Sequence, residues 1–429
     1  MRALLPRPGL AIWVLVGTLA HATSVRAEPQ PNGVICEDRV VAGSDKDFME
    51  VRHLVLKGTN EAIGRTLGQI ARERHHVSLL PGHDALRVRA QRRYFEANFP
   101  ILFDRMRGVA AAYGKRLEDD SWNFSWLDYG RFSGGCSVVH FPPSLTADGK
   151  SVISRDYDFS TGTMMGMRPA PGELAATARP YVLEMYPERG YASLAICSYD
   201  MLSGVLDGIN SEGLTVAILA DDELTQKFRM EQAGPVPVGL GSLQALRLLL
   251  DTCATVEQAK EALLLNKQVY EFVSVHYLVA DRYGKSFVWE YSQAHNREYI
   301  LENPGQPLIT TNFSLHRHLD DGKLPTAKGA EKVCPRYCLL CQRLNGHEGK
   351  LTTDFIKETH KKVDAAFPAP PGSSRAPART LWHALYYPEQ RKVQVSFYLR
   401  DEPDPDHPGK TRIVRSNYVD FCVDAAKVK

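Results

Sequence analysis

The stretch Arg131-Phe-Ser-Gly-Gly-Cys-Ser-Val-Val139 places a cysteine between a glycine pair and an apolar run typical of a β-strand. Arg155 and Asp158 follow shortly after it, within Ser154-Arg-Asp-Tyr-Asp-Phe159. If the peptide bond before Cys136 breaks, the cysteine gains an α-amine within reach of its own thiol. An α-amine has a pKa of about 8 and a thiol of about 8.5, so the two can share a proton at neutral pH. The stretch therefore predicts a cysteine nucleophile whose base is its own amine.

The beginning of the chain has the pattern of a secretory signal. Arg2 and Arg7 precede an apolar stretch at 10–20, and small residues occupy the peptidase positions in Ser24-Val-Arg-Ala27. We therefore expect residues 1–27 to be removed and the mature protein to be secreted or periplasmic. No later apolar run approaches the ~20 residues of a membrane-spanning helix, so we expect no stable membrane span.

Composition and charge exclude several classes of function. The 429 residues are 44% hydrophobic and 24% charged, which is typical of a globular protein. Removal of 1–27 takes away three arginines and no acidic residue, leaving a net charge of about −1. Such a chain does not attract nucleic acid or anionic lipid over long range. Its eight cysteines are too few for a disulfide scaffold.

A homo-oligomer is compatible with this sequence.

The order of the predicted elements indicates the fold class. Residues 28–135 read as a mainly helical segment, and 136–429 as a second domain in which strands and helices come in blocks rather than in βαβ alternation. A Pro/Ser/Ala-rich linker is predicted at 367–379 and a final hairpin on either side of residues 388–391. This arrangement favours an α+β fold of layered antiparallel sheets covered by helices.

Several further motifs occur in the same order as in a known family. These are Asp207-Gly-Ile-Asn-Ser-Glu-Gly-Leu214, Val279-Ala-Asp-Arg-Tyr-Gly284 followed by Trp289-Glu-Tyr, Ile309-Thr-Thr-Asn312, and Arg336-Tyr337. Together with Gly-Gly-Cys-Ser and Arg-x-x-Asp-Phe, they resemble the cysteine N-terminal nucleophile (Ntn) hydrolases. That superfamily includes choloylglycine hydrolases, penicillin V acylases, acid ceramidase, N-acylethanolamine acid amidase and the isopenicillin N acyltransferase-like group.

The resemblance implies a four-layer αββα sandwich, self-cleavage between Gly135 and Cys136, and a reaction on a linear N-acyl amide of small-molecule size. It implies Cys136 as the nucleophile, Arg155 beside the thiolate to lower its pKa, and Asp158 as the holder of the new amine. Asn312 would donate its side-chain amide to the oxyanion, and Arg336 would complete the polar network. The implied chemistry requires neither a metal nor an organic cofactor.

Two positions depart from the pattern of the resembled family. Asp156 stands where the family usually has asparagine and is expected to add a negative charge near the site. Some relatives use an asparagine shortly after the Gly-Leu turn as a second oxyanion donor, and this chain has Asp221 and Asp222 there. An ionised carboxylate cannot donate a hydrogen bond, so backbone amides would have to replace that donor.

Four alternatives remain at the level of sequence. The first is an acyltransferase of the same fold. The second is a papain-like protease using His276 with Asn303 or Asn312, although Gly130 replaces its oxyanion glutamine. The third is an inactive exported binding protein. The fourth, a metal-binding reading of Cys334-x-x-x-Cys338-x-x-Cys341, is weaker, since this spacing also fits one buried helix face.

Overall fold

The computed structural model describes residues 34–127, 134–163, 166–170, 172–198, 200–223, 238–269, 274–407 and 411–427. The predicted signal segment at 1–27 therefore lies outside the described residues. No helix among the residues described here is both long and apolar enough to cross a membrane.

Helices and strands alternate in blocks along the chain. The α-helices are α1 Asn60–Arg74, α2 Ala85–Asn98, α3 Pro100–Ala112, α4 Ser242–Thr252, α5 Val256–Leu265, α6 Ala327–Ala330, α7 Pro335–Asn345 and α8 Thr353–Lys361. The strands are β1 Ile35–Gly43, β2 Glu50–Gly58, β3 Leu80–Pro81, β4 Trp122–Asn123, β5 Gly134–Phe141, β6 Val152–Ser160, β7 Tyr181–Pro187, β8 Ser193–Cys197, β9 Asp207–Asn210, β10 Thr215–Ala220, β11 Val275–Ala280, β12 Ser286–Ser292, β13 Arg297–Leu301, β14 Leu308–Thr310, β15 Ala366–Phe367, β16 Ala378–Tyr387, β17 Lys392–Pro403, β18 Thr411–Arg415 and β19 Val419–Cys422.

Two large sheets form the centre of the molecule. One has the strand order β1-β2-β7-β8-β9-β10-β11-β12-β13, and the other has the order β14-β5-β6-β16-β17-β18, with β15 on β16 and β19 on β17. The sheets face each other where β10 packs on β5 and β12 on β14. Helices α1, α4 and α5 pack on the first sheet and α7 and α8 on the second. This arrangement is the α+β, four-layer αββα sandwich expected from the sequence.

The N-terminal segment has its predicted helices and two long strands that the sequence analysis did not anticipate. Thr59 caps α1 by accepting a hydrogen bond from the backbone of Ala62 at 3.1 Å. Gly64 lets α3 approach, because a Cβ there would lie 2.1 Å from the Arg105 carbonyl oxygen. β2 pairs in parallel with β7 over seven residues. The segment is therefore part of the nine-stranded sheet.

The C-terminal region contains more β-strand than the sequence predicted. The predicted final hairpin is present as β16 and β17. However, β17 continues to Pro403, and β18 and β19 then pair with it, so strand structure extends beyond the predicted hairpin. The predicted linker at 367–379 connects β15 to β16, which pair with each other. Within it, the backbone N–H of Ala376 donates to the carbonyl of Gly166.

Candidate active site

Cys136 lies in β5, between β6 and β14. On one side it pairs with Tyr157 of β6. On the other side, the pairing of β5 with β14 ends at Val138 and Thr310. If this antiparallel register is continued by two residues, Asn312 stands opposite Cys136. Residues far apart in sequence therefore converge on one cysteine because β5 is an interior strand of the sheet.

The main chain of Cys136 is held by two of the predicted site residues. Its amide N–H donates to Asn312 Oδ1 at 2.5 Å, and its carbonyl accepts from Arg336 Nη1 at 2.8 Å. Arg336 also donates to Asp158 Oδ2 at 2.9 Å and to Asn312 Oδ1 at 2.7 Å. It is the second residue of α7, and its side chain is 23% exposed. One guanidinium thus joins Cys136, Asp158 and Asn312.

Asp158 of β6 pairs with Gly135 of β5, the residue before the predicted cleavage point. Its second oxygen, Oδ1, accepts from Thr380 Oγ1 at 2.5 Å. Burial raises the pKa of this carboxyl, and Arg336 and Thr380 offset only part of the increase. Sequence reasoning missed Thr380, because its contact depends on the pairing of β16 with β6.

Arg155 approaches the thiol from the space between the sheets. Its guanidinium acts electrostatically on the thiol of Cys136 and is fixed by Asp207 Oδ2 at 3.3 Å and the Ile218 carbonyl at 3.0 Å. Both Arg155 and Asp207 are fully buried. Asp207 was not among the predicted site residues. A charged residue inside the otherwise apolar 204–209 run was the signal that could have identified it as a partner for a buried cation.

The thiol of Cys136 is only 2% exposed in the uncleaved chain. Burial raises its pKa, and Arg155 opposes that effect without reversing it. Arg155 thus acts on the thiol in the expected direction, but burial outweighs it and the pKa of Cys136 is raised in this state. A buried thiol without a neighbouring amine keeps its proton at neutral pH.

Asp156 lies in the site region without a hydrogen-bond partner for either carboxyl oxygen. Burial raises its pKa well above the usual range, and the charges of Asp364 and Asp158 raise it further. The negative charge expected at this position is thus suppressed. His383 Nε2 lies 4.0 Å from Oδ1, but burial lowers the pKa of His383 well below its usual value, so this imidazole supplies no positive charge.

The acidic pair after β10 supports the loop that follows Asn312. Asn312 Nδ2 donates to the carbonyl of Ala220 at 2.6 Å, which leaves its second N–H for another acceptor. Asp222 Oδ1 accepts from the backbone of Ser314 at 3.0 Å, and Asp221 accepts from the hydroxyl of Ser274. These carboxylates act as acceptors for the chain around the site.

The residues of the papain-like alternative are engaged elsewhere. His276 contacts Glu290 Oε1 through Nδ1 at 2.9 Å and the Thr311 carbonyl through Nε2 at 2.6 Å. Asn303 donates to the carbonyl of Pro307 at 2.7 Å. Both ring nitrogens of His276 are occupied, so this histidine is not placed as a base for Cys136.

Within the described part of the chain, no group of three or more His, Cys, Asp or Glu side chains is arranged to hold a metal ion. Cys334 is the N-cap of α7, and Cys338 and Cys341 lie on its buried side. The spacing of these cysteines thus corresponds to a helix start and one buried helix face.

The sandwich and the network around Cys136 define an α+β protein of the Ntn-hydrolase type. The sequence profile of the family described as "Acyl-coenzyme A:6-aminopenicillanic acid acyl-transferase" matches residues 147–401, more than half of the chain. The chain belongs to this family, which confirms the resemblance drawn from the motifs. Arg155, Asp158, Asn312 and Arg336 lie inside the matched range, and Cys136 lies before it.

Solved structures with similarity to this chain include hydrolases of several amides. A conjugated bile acid hydrolase from Clostridium perfringens is 14% identical over 66% of this chain and 97% of that chain, with a TM-score of 0.40. A penicillin V acylase from Agrobacterium tumefaciens is 14% identical over 66% and 86%, with a TM-score of 0.36. A Caenorhabditis elegans orthologue of N-acylethanolamine-hydrolyzing acid amidase is 14% identical over 65% and 99%, with a TM-score of 0.35. Similarity at this level supports no argument about substrate. No curated protein sequence matches significantly.

Proposed function

We propose that this protein is an exported Ntn enzyme that cleaves a linear N-acyl amide through a thioester on Cys136. The observation that carries the proposal is the position of the Cys136 nitrogen, 2.5 Å from Asn312 Oδ1 and beside the Asp158–Arg336 pair. Cleavage before Cys136 turns that nitrogen into an α-amine that already has an acceptor. Export rests on the signal pattern at 1–27.

Maturation begins with the thiol of Cys136 attacking the carbonyl carbon of Gly135. The C–N bond to Cys136 breaks as the C–S bond forms, and the nitrogen takes the proton to become an amine. Water then hydrolyses the thioester, which leaves a carboxylate on Gly135 and restores the thiol. Gly135 is suited to this step, since it carries no side chain to obstruct the approach.

In turnover, the amine of Cys136 accepts the thiol proton, and the thiolate attacks the acyl carbonyl of the substrate. The second N–H of Asn312 Nδ2 and backbone amides stabilise the oxyanion, and the amine returns the proton to the departing amine. Arg155 stabilises the thiolate by charge. Asp158, acting with Arg336, keeps the α-amine in place. Water then releases the acyl group from the thioester.

Acyl transfer is the second candidate, and the family match favours it directly. Hydrolysis and transfer differ only in whether water or another amine attacks the thioester. The discriminating experiment incubates purified enzyme with N-acyl amino acids, N-acylethanolamines, conjugated bile acids and penicillins, with and without an acceptor amine. Chromatography then measures free acid and acylated acceptor.

The proposal predicts release of an amine from at least one substrate class and none with Cys136→Ala. A dominant acylated acceptor assigns transfer, and a dominant free acid assigns hydrolysis. Turnover that persists in Cys136→Ala would exclude this site. A wild type that is inert towards every substrate and uncleaved before Cys136 would support the inactive binding protein instead.

A further inference from the structure

A buried carboxylate, Glu290, organises the chain segment that follows Asn312. It lies on β12 directly opposite His276 of β11, and its side chain is 1% exposed. Oε1 accepts from His276 Nδ1 at 2.9 Å and from the backbone of Leu315 at 2.8 Å. Oε2 accepts from the backbone of His316 at 2.9 Å and from its Nδ1 at 2.7 Å. Four donors thus saturate one carboxylate.

His276 connects this carboxylate to the residue that precedes Asn312. Its Nε2 lies 2.6 Å from the carbonyl oxygen of Thr311, and its side chain is fully buried. The Thr311 carbonyl belongs to the peptide group that ends at the Asn312 nitrogen. The imidazole therefore reaches from the nine-stranded sheet to the end of β14 in the other sheet.

Hydrogen bonds therefore hold the backbone on both sides of Asn312. His276 holds the peptide before it, and Glu290 holds the backbone of Leu315 and His316 after it. Its own Nδ2 is anchored on Ala220, and Ala220 pairs with Val275, the neighbour of His276. The side chain that receives the Cys136 N–H is thus positioned by the ends of β10, β11 and β12.

Resting on the function proposed above, we propose that His276 of the buried His276–Glu290 pair is a positioning residue whose hydrogen bond to the Thr311 carbonyl holds Asn312 in register with Cys136. The pair touches neither the thiol nor the peptide bond to be cleaved. It acts on the geometry of Asn312, and a displacement of about 1 Å at a reacting centre can cost about a hundredfold in rate.

The charges around the pair favour donation from both ring nitrogens. Burial alone lowers the pKa of His276, but Glu290, Asp221 and the Thr311 carbonyl outweigh it, and the pKa is raised. Burial raises the pKa of Glu290, but its bonds from His276 and His316 lower it to about 2. Asp221 also faces His276 and accepts from Ser274. An imidazolium can donate to Glu290 and to Thr311 at the same time.

Two substitutions separate these two bonds. In His276→Gln the amide nitrogen reaches the position of Nε2 and keeps the donor to Thr311. In His276→Asn the amide nitrogen reaches only the position of Nδ1, so the variant keeps the hydrogen bond to Glu290 and loses the one to Thr311. The matched control is His53→Asn, which likewise removes the Nε2 hydrogen bond of a buried histidine, here to the carboxylate of Glu184 at 2.8 Å between β2 and β7.

The measurement is the rate at which newly synthesised chain converts to the 136–429 fragment, followed by pulse-chase on denaturing gels. Thermal unfolding of each variant in a Cys136→Ala background gives its stability separately. We expect His276→Asn to slow cleavage at least about tenfold, while His276→Gln retains the rate to within about threefold. His53→Asn should lose comparable stability and cleave at the wild-type rate.

If cleavage slows equally in both His276 variants, or also in His53→Asn, the role of His276 is general stabilisation of the fold, and the proposal is overturned. Unchanged cleavage in His276→Asn would overturn it too. These outcomes leave the proposed function intact, because they presuppose a wild type that cleaves itself. A wild type that never cleaves refutes the proposed function itself.

Discussion

Cys136 combines a buried thiol with a main chain fixed by Asn312 and Arg336. We expect Cys136→Ala to abolish both self-cleavage and turnover, because the sulfur is the atom that attacks in both steps. The free energy of unfolding should change by no more than about 1 kcal/mol, since alanine keeps the strand and removes one atom. Gel analysis, turnover assays and urea unfolding measure these effects.

The control for this substitution is Cys253→Ala, at the C-cap of α4. Cys253 is as buried as Cys136 but belongs to the other sheet's helix layer. It should cleave and turn over normally. Loss of activity in Cys253→Ala of the same size as in Cys136→Ala would contradict the assignment of the nucleophile.

Asp156 is predicted to destabilise the folded protein at neutral pH. Its folded pKa lies above the unfolded value of about 3.9, so folding must retain a proton that the unfolded chain releases. This penalty is absent below pH ~4 and grows as the pH rises towards the folded pKa. Asp156→Asn, in a Cys136→Ala background, should therefore raise the free energy of unfolding by about 1 to 2 kcal/mol at pH 7 and by much less at pH 4.

Asp200 supplies a matched control for the Asp156 substitution, because it is equally buried but accepts from the backbones of Leu127 and Leu202. Asp200→Asn should destabilise by about 1 to 3 kcal/mol, since an amide nitrogen would replace an oxygen that receives donors. Unfolding curves for both variants test the contrast. A destabilised Asp156→Asn at pH 7 would show that the carboxyl has a partner.

A buried ion pair between two helices connects the N-terminal segment to the rest of the molecule. Arg105 of α3 donates to Asp251 of α4 at 2.6 Å, and both side chains are fully buried. Arg105→Met in a Cys136→Ala background leaves Asp251 with the more distant Arg247, at 3.6 Å. We expect a loss of about 3 to 5 kcal/mol in the free energy of unfolding, measured in urea.

The comparison for this pair is Arg89→Met, which removes an ion pair with Asp120 whose arginine is 43% exposed. Solvent screens such a pair, so the loss should not exceed about 1 kcal/mol. Similar losses in the two variants would show that the α3–α4 contact does not hold the N-terminal segment. Since the proposed cleavage would leave 28–135 and 136–429 as separate pieces, such a result would also mean that this ion pair does not hold them together.

The His276–Glu290 pair links β11 and β12 and should give stability a defined pH range. His276 has a raised pKa, so its contribution is complete below the unfolded value of about 6.5 and is lost as the pH rises through the folded pKa. Glu290 has a pKa of about 2. Its contribution is complete above the unfolded value of about 4.3 and is lost as the pH falls towards 2.

Glu290→Gln in the Cys136→Ala background should therefore cost most between pH ~4.3 and ~6.5, by about 3 to 5 kcal/mol, and less on either side. Thermal or urea unfolding across this pH range measures the difference. A cost that is constant with pH would mean that the charges of the pair contribute nothing to its stability.

For the molecule as a whole, the sequence predicted the layers and the four residues that the structure brings around Cys136, which are Arg155, Asp158, Asn312 and Arg336. The apolar runs and the Gly-Gly-Cys, Arg-x-x-Asp and Thr-Asn motifs are local signals, and the resemblance supplied their arrangement in space. β2 was missed because its pairing with β7 joins residues more than 120 positions apart. The roles of Thr380, Asp207 and Glu290 were missed for the same reason, since each depends on a neighbour in another strand or loop.

The raised pKa of Cys136 also could not be predicted from residue types. Sequence reasoning identified the cation beside the thiol but not the depth of burial, and burial dominates. The same holds for Asp156, whose expected charge is suppressed by its surroundings.

In the proposed maturation, the peptide bond between Gly135 and Cys136 breaks and creates the catalytic amine. Purified mature protein should contain the pieces 28–135 and 136–429, which co-elute under native conditions and separate in denaturant with or without reductant, since the described cysteines are free thiols. The direct test is N-terminal sequencing of the larger piece. The result should be Cys-Ser-Val-Val. An active protein that remains one intact chain, or one cut at another bond, would show that Cys136 does not act through an α-amine of its own.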